Sequence, residues 1–154
     1  MMRCGIFLSI CIILLTACSV NPETKIISEY LEGYGKDISN YRLICFVPAD
    51  GCSSCIEPSP EYSETAGEEF LLVLTSLYSK SIHNTAEAYH LNMDRILVDA
   101  GNKAVSLQLL LPTAPCFYFI EDGRVVKKAD LSKTYDKTGI LTEADRFLGK
   151  SGGE

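Results

Sequence analysis

The 154-residue sequence predicts an α/β fold, a three-layer α/β/α sandwich on a mixed β-sheet. Three observations predict it. From residue 41 onward, short β-branched and aromatic runs alternate with segments of helical spacing, which implies a parallel core. Late in the chain, Asp122-Gly123 separates two apolar runs and signals a hairpin, which adds antiparallel strands at one side. The length after the leader suits one ordinary domain that buries its own core without staples.

The elements follow in order. Ile26, Ile27, Tyr30, Leu31 and Tyr34 recur at helical spacing over Glu23 to Tyr34, and Gly35 is a good terminator. Tyr41 to Val47 (YRLICFV) reads as a buried strand, broken by Pro48 to Gly51. Pro60 to Glu69 is helical in composition, with Pro58 and Pro60 bending or delaying its start. Phe70 to Thr75 is a second buried strand and Ser81 to Leu91 a helix. Arg95 to Val98 is a short strand ending at Asp99, and Lys103 to Leu111 is expected to be helical. Cys116 to Ile120 is a strand on which Arg124 to Lys127 folds back, and Thr142 caps a closing helix to Leu148.

The first residues do not belong to this fold. Gly5 to Ala17 is a thirteen-residue apolar run behind Arg3, which fits the h-region of a secretory signal and is short for a membrane span. Leu15-Thr16-Ala17-Cys18 resembles the lipobox of bacterial lipoproteins. That resemblance implies a signal peptide over 1–17, cleavage before Cys18 and lipid on Cys18. An uncleaved anchor is the alternative. Either places the domain outside the cytoplasm and tethered to a membrane; the lipobox resemblance implies a periplasmic, lipid-anchored protein. Residues 18–40 are read as a tether with the first helix, 41–149 as the folded domain and 150–154 as a tail. Net charge is −6 and the basic residues are scattered, which argues against a nucleic-acid partner.

With Cys4, Cys11 and Cys18 assigned to the leader and the lipid, Cys45, Cys52, Cys55 and Cys116 remain. Two structural disulfides are one option in an oxidising compartment. Loop closure disfavours it for the close pair: bridging Cys52 to Cys55 stabilises by roughly 2 kcal/mol, against roughly 4 for a bridge such as Cys52 to Cys116. A poor staple with accessible sulfurs suits exchange. Cys52-Ser53-Ser54-Cys55 lies where a strand passes into a helix, and amide groups with the dipole at a helix start favour a thiolate. Cys52, the first of the pair, is the expected nucleophile and Cys55 the resolving thiol, with Ser53 and Ser54 placed to tune the potential. Cys45 and Cys116 are expected to be packing residues.

Four features over Tyr41 to Leu148 resemble the thioredoxin superfamily. The Cys-x-x-Cys follows an apolar strand; Pro60 stands five residues after Cys55; Thr113-Ala114-Pro115 precedes the strand from Cys116; and Glu121 to Val126 resembles the turn into the last strand. The spacing from Phe70 through Asp99 to Pro115 resembles the membrane-anchored extracytoplasmic members. The resemblance implies a redox-active Cys52–Cys55 disulfide, a cis-proline at Pro115 beside it, and substrate contacts at Gly51, Ala114 and Pro115. A cis X–Pro bond is cheap, roughly 0.5–1 kcal/mol, and the cis assignment is expected to expose the Ala114 backbone for strand-like pairing. The implied function is thiol–disulfide oxidoreduction, reducing protein disulfides, with no cofactor, and with a membrane redox partner that re-reduces the pair.

Two departures stand out. Gly51 occupies the place of the usual tryptophan before the first cysteine, and the chain contains no tryptophan. Phe46 occupies the place of the buried acid on the strand before the motif; Asp50 and Glu57 are the nearby carboxylates open to proton transfer. Two other readings stay open: a Cu(I)-binding metallochaperone, since paired thiolates are soft ligands, and a non-catalytic domain with a vestigial pair. Copper chaperones of this fold add a late histidine near the proline loop, whereas His83 and His90 both fall on the middle helix. No metal site is expected.

Overall fold

The computed structural model describes residues 21–51, 58–132 and 136–150. Helix α1 (Pro22–Glu32) leads through a 3-10 turn (Ile38–Asn40) to β1 (Leu43–Pro48). Then follow α2 (Pro58–Thr65), β2 (Phe70–Thr75), α3 (Ser79–Ala88), a 3-10 turn (Met93–Arg95), β3 (Ile96–Asp99) and α4 (Lys103–Ser106). The chain closes with β4 (Cys116–Glu121), β5 (Arg124–Asp130) and α5 (Lys137–Phe147). The sheet order is β3-β2-β1-β4-β5, with β1, β2 and β3 parallel and β4 and β5 antiparallel. This is an α/β fold, a three-layer α/β/α sandwich on a mixed sheet, as the sequence predicts. No helix among the described residues is long and apolar enough to cross a membrane.

The pleat sorts the core into two halves. Leu43, Cys45 and Val47 of β1, Leu72 and Leu74 of β2, and Phe117 and Phe119 of β4 face α2, α3 and α5. Ile44, Phe46, Leu71, Val73, Cys116, Tyr118 and Ile120 face α1 and α4. Strands buried on both faces read as unbroken apolar runs, as β1 and β2 do. Helix α1 is integral to the sandwich: Ile27, Tyr30 and Leu31 are fully buried, and Asn21 caps its start by accepting from Glu23 N at 3.0 Å.

Four helices end in one motif. Lys36, Leu91, Leu109 and Lys150 donate their N–H to the carbonyls of Leu31, Ala86, Ala104 and Asp145, five residues back. The residue before each donor lies in the left-handed region: Gly35, His90, Gln108 and Gly149. At Gln108 this corrects the expectation of a helix over Lys103 to Leu111. Leu109 and Leu110 continue the apolar spacing, but the chain reverses at Gln108 and drops both into the core. Tyr118 Oη pins the turn by donating to Leu109 O at 2.6 Å.

The closing helix also starts earlier than expected. Asp136 accepts from Gly139 N at 2.7 Å and caps α5, while Thr142 sits inside it on the exposed side. The hairpin is as expected, with Asp122 and Gly123 both at positive φ. A register shift between Phe119 and Ile120 bulges β5, which extends to Asp130.

Candidate functional site

Cys52 and Cys55, with Ser53, Ser54 and Glu57, lie outside the described residues, as do the leader and Cys18. What the structure gives is the frame from which the Cys-x-x-Cys leaves. β1 ends in a row across the sheet, Pro48 beside Thr75 and Thr75 beside Asp99. Beyond it, Ala49 N donates to Thr75 O at 2.9 Å, and Gly51 N closes a turn onto Pro48 O at 3.0 Å. Gly51 therefore stands at the C-terminal edge of the parallel strands, one peptide bond before Cys52. In open α/β sheets that edge is where ligand sites lie.

Ser76 and Asp99, to which the sequence reading gave no role, hold this edge together with Asp50, the carboxylate it left open to proton transfer. Ser76 Oγ, buried, donates to Asp50 Oδ2 at 2.5 Å and accepts from Tyr78 N at 2.8 Å. Asp99 is fully buried; it accepts from the amides of Ala104 (2.8 Å) and Lys103 (3.0 Å), from Thr75 Oγ1 (2.9 Å) and from Tyr34 Oη (2.9 Å). Burial raises its carboxyl, but the four hydrogen bonds outweigh burial and hold it below its ordinary range. The only signal in the sequence is a polar residue closing each apolar run, Thr75-Ser76 and Asp99. Next to Ser76, Leu77 and Tyr78 are 65% and 67% exposed.

The proline segment arrives at the same edge. Phe46 pairs with Cys116 in the antiparallel register, so Pro115, one residue earlier in the chain, comes alongside the end of β1. Pro115 O accepts from Leu131 N at 3.0 Å. The cis assignment is corrected: no peptide bond among the described residues is cis, and Ala114–Pro115 is trans. The turn from Leu111 to Ala114 delivers the chain to β4 with the bond in its lower-energy form. Ala114 is buried and its N–H points back to Leu111 O at 3.5 Å, so its backbone is less open to a partner than a cis bond implied. Gly51, Ala114 and Pro115 thus share one edge.

The remaining thiols are inert by environment. Cys45 is fully buried beside Ser59, and burial pushes its thiol well above the usual range. Cys116 is also fully buried, and burial pushes it up to about 12. Both are free. His83 and His90 are exposed on and just after α3. Among the described residues no three His, Cys, Asp or Glu side chains group as metal ligands.

No protein-family model matches the chain, and no curated protein does. Among solved structures it is similar to one described as "Solution Structure of a Putative Thioredoxin from Neisseria meningitidis", at 21% identity and a TM-score of 0.49, over 76% of this chain and 81% of that one.

Proposed function

We propose that the protein is an extracytoplasmic thiol–disulfide oxidoreductase, anchored by lipid at Cys18, that reduces protein disulfides through Cys52 and Cys55. The observation that supports it is the placement of Gly51. The chain enters Cys52-Ser53-Ser54-Cys55 from the C-terminal edge of the parallel strands, with the Pro115 segment alongside. Leu77 and Tyr78 offer exposed apolar contact on that edge, where the absent tryptophan gives none.

In the proposed cycle the Cys52 thiolate attacks a substrate disulfide. The substrate S–S bond breaks, one sulfur leaves as thiolate, and a mixed disulfide forms. The Cys55 thiolate then attacks Cys52 Sγ and releases the second substrate sulfur. The substrate gains two electrons and two protons, and Cys52–Cys55 becomes a disulfide. A membrane partner with its own dithiol returns the electrons.

The test is insulin reduction by the dithiol form together with the potential of the Cys52–Cys55 couple. Turnover and a potential near the thioredoxin end, about −270 mV, are expected. Cys52→Ser abolishes turnover and Cys55→Ser traps the mixed disulfide. Activity retained in the Cys52 variant overturns the assignment, and a potential near the strong-oxidant end, about −120 mV, reverses the direction.

A further inference from the structure

Helix α1 spans the height of the sheet, and each end is fastened to an opposite edge. At its start, Thr24 Oγ1 accepts from Val125 N at 2.9 Å and Asn21 Nδ2 donates to Val125 O at 3.3 Å. Val125 belongs to the β4–β5 hairpin end, where β1 begins: Ile120, its pairing partner, donates to Arg42 O at 2.8 Å. Just past the far end of α1, Tyr34 Oη reaches Asp99, in the row where β1 ends and the chain departs toward Cys52. The eleven residues of the helix rise about 16 Å.

The link to Cys18 is short. Whatever path Ser19 and Val20 take, three peptide steps from Cys18 to Asn21 reach at most about 11 Å. To turn the Cys52 edge onto a bilayer, the start of α1 would have to stand at least the helix height above it, about 16 Å. The peptide link alone does not reach that far, and the thioether and glycerol of the lipid add only a few bonds, so the inverted pose would need the whole tether stretched taut and is disfavoured for the anchored protein.

We infer that the anchored protein stands on its β4–β5 hairpin end, with the strand ends that lead to Cys52 turned to the aqueous phase, so that it serves disulfides of soluble proteins rather than cysteines at the lipid surface. The inference rests on the anchoring at Cys18 proposed above. A membrane protein that re-reduces it then has to carry its dithiol on an aqueous domain.

The absence of tryptophan makes the pose measurable, since any introduced indole is the sole one. Arg124→Trp and Val126→Trp mark the hairpin end; Leu77→Trp and Tyr78→Trp mark the other edge. All four positions are exposed, so the fold is kept. The chain from Cys18 onward, which holds every described core residue, is coupled through Cys18 to a maleimide lipid, with the Cys52–Cys55 pair oxidised. The vesicles are phosphatidylcholine with a dansyl headgroup lipid.

Energy transfer several-fold stronger from 124 and 126 than from 77 and 78 is expected. Inserting twenty Gly/Ser residues after Val20, a tether of about 26 Å r.m.s., should erase the difference. Equal transfer from both ends on the short tether, or stronger transfer from 77 and 78, overturns the inference. The mass of the Cys18 peptide from the full chain expressed in bacteria reads acylation separately, so failure of the anchor and failure of the pose are distinguishable.

Discussion

Tyr34 and Asp99, 65 residues apart in the chain, meet in a 2.9 Å hydrogen bond that ties the end of α1 to the end of β3. Burial and the neighbouring carboxylate push the Tyr34 phenol up to about 12. The same bond helps hold the Asp99 carboxyl low. A helix end, two strand ends and the start of α4 thereby converge on one buried carboxylate.

That carboxylate makes stability depend on pH. A carboxyl held lower in the fold than in the unfolded chain stabilises the fold above the ordinary carboxylate range, and the contribution is lost as pH falls through the folded value. Asp99→Asn should cost on the order of 2–3 kcal/mol at neutral pH and Tyr34→Phe about 1 kcal/mol. Urea unfolding should show the Asp99→Asn deficit shrinking below about pH 4. A deficit unchanged at lower pH would contradict this account.

The shared helix ending gives a prediction of opposite sign. His90 and Gln108 carry side chains in the left-handed region, which costs an L-residue roughly 1–2 kcal/mol. Glycine removes that cost and returns part of it as unfolded-state entropy. His90→Gly and Gln108→Gly should each stabilise by about 0.5–1 kcal/mol, read as a raised urea midpoint at constant slope. Gly35→Ala and Gly149→Ala should each destabilise by about 1 kcal/mol.

The same positions show what the sequence made legible. β1 and β2 are plain as apolar runs because both faces are buried, and Asp122-Gly123 is plain because few other residues take two positive φ values. Gln108 hides its turn: nothing in its side chain marks a helix end, and Leu109-Leu110 extend the apolar period into what is a core plug. Asp136 hides the start of α5 because Gly139 reads as a break, though its N–H is the one the Asp136 carboxylate receives. Asp99 and Ser76 act through partners brought by tertiary contact, which spacing does not reveal. The edge carrying Gly51 and Pro115 was readable as motif order; the trans bond at Pro115 was not.

Arg42 fastens the last helix. Its guanidinium donates to Phe147 O, lies 5.1 Å over the Phe147 ring and stands 3.7 Å from Glu69. A cation at a helix C-terminus also complements the dipole. Arg42→Met should cost about 1–2 kcal/mol, and Arg42→Lys should recover only part, since lysine keeps the charge and loses the planar stack. Thermal unfolding of the three proteins decides it; equal stability of the Lys and Arg forms would refute the stacking contribution.

Burial predicts silence from the two core thiols. Iodoacetamide at mildly alkaline pH should leave Cys45 and Cys116 unlabelled in the native protein and modify both in urea, read by peptide mass. Cys45→Ala and Cys116→Ala should leave the Cys52–Cys55 potential unchanged.

Cys45 and Cys116 stand on adjoining strands, one register step apart, with their side chains in opposite halves of the core. The sheet is thus a wall between two sulfurs that would otherwise be near enough to bond. Once β1 and β4 have zipped, no oxidant can join them without tearing the strands apart. Wrong pairing has to happen early, while the chain is still open, and each completed ladder of β1 against β4 closes that window for good.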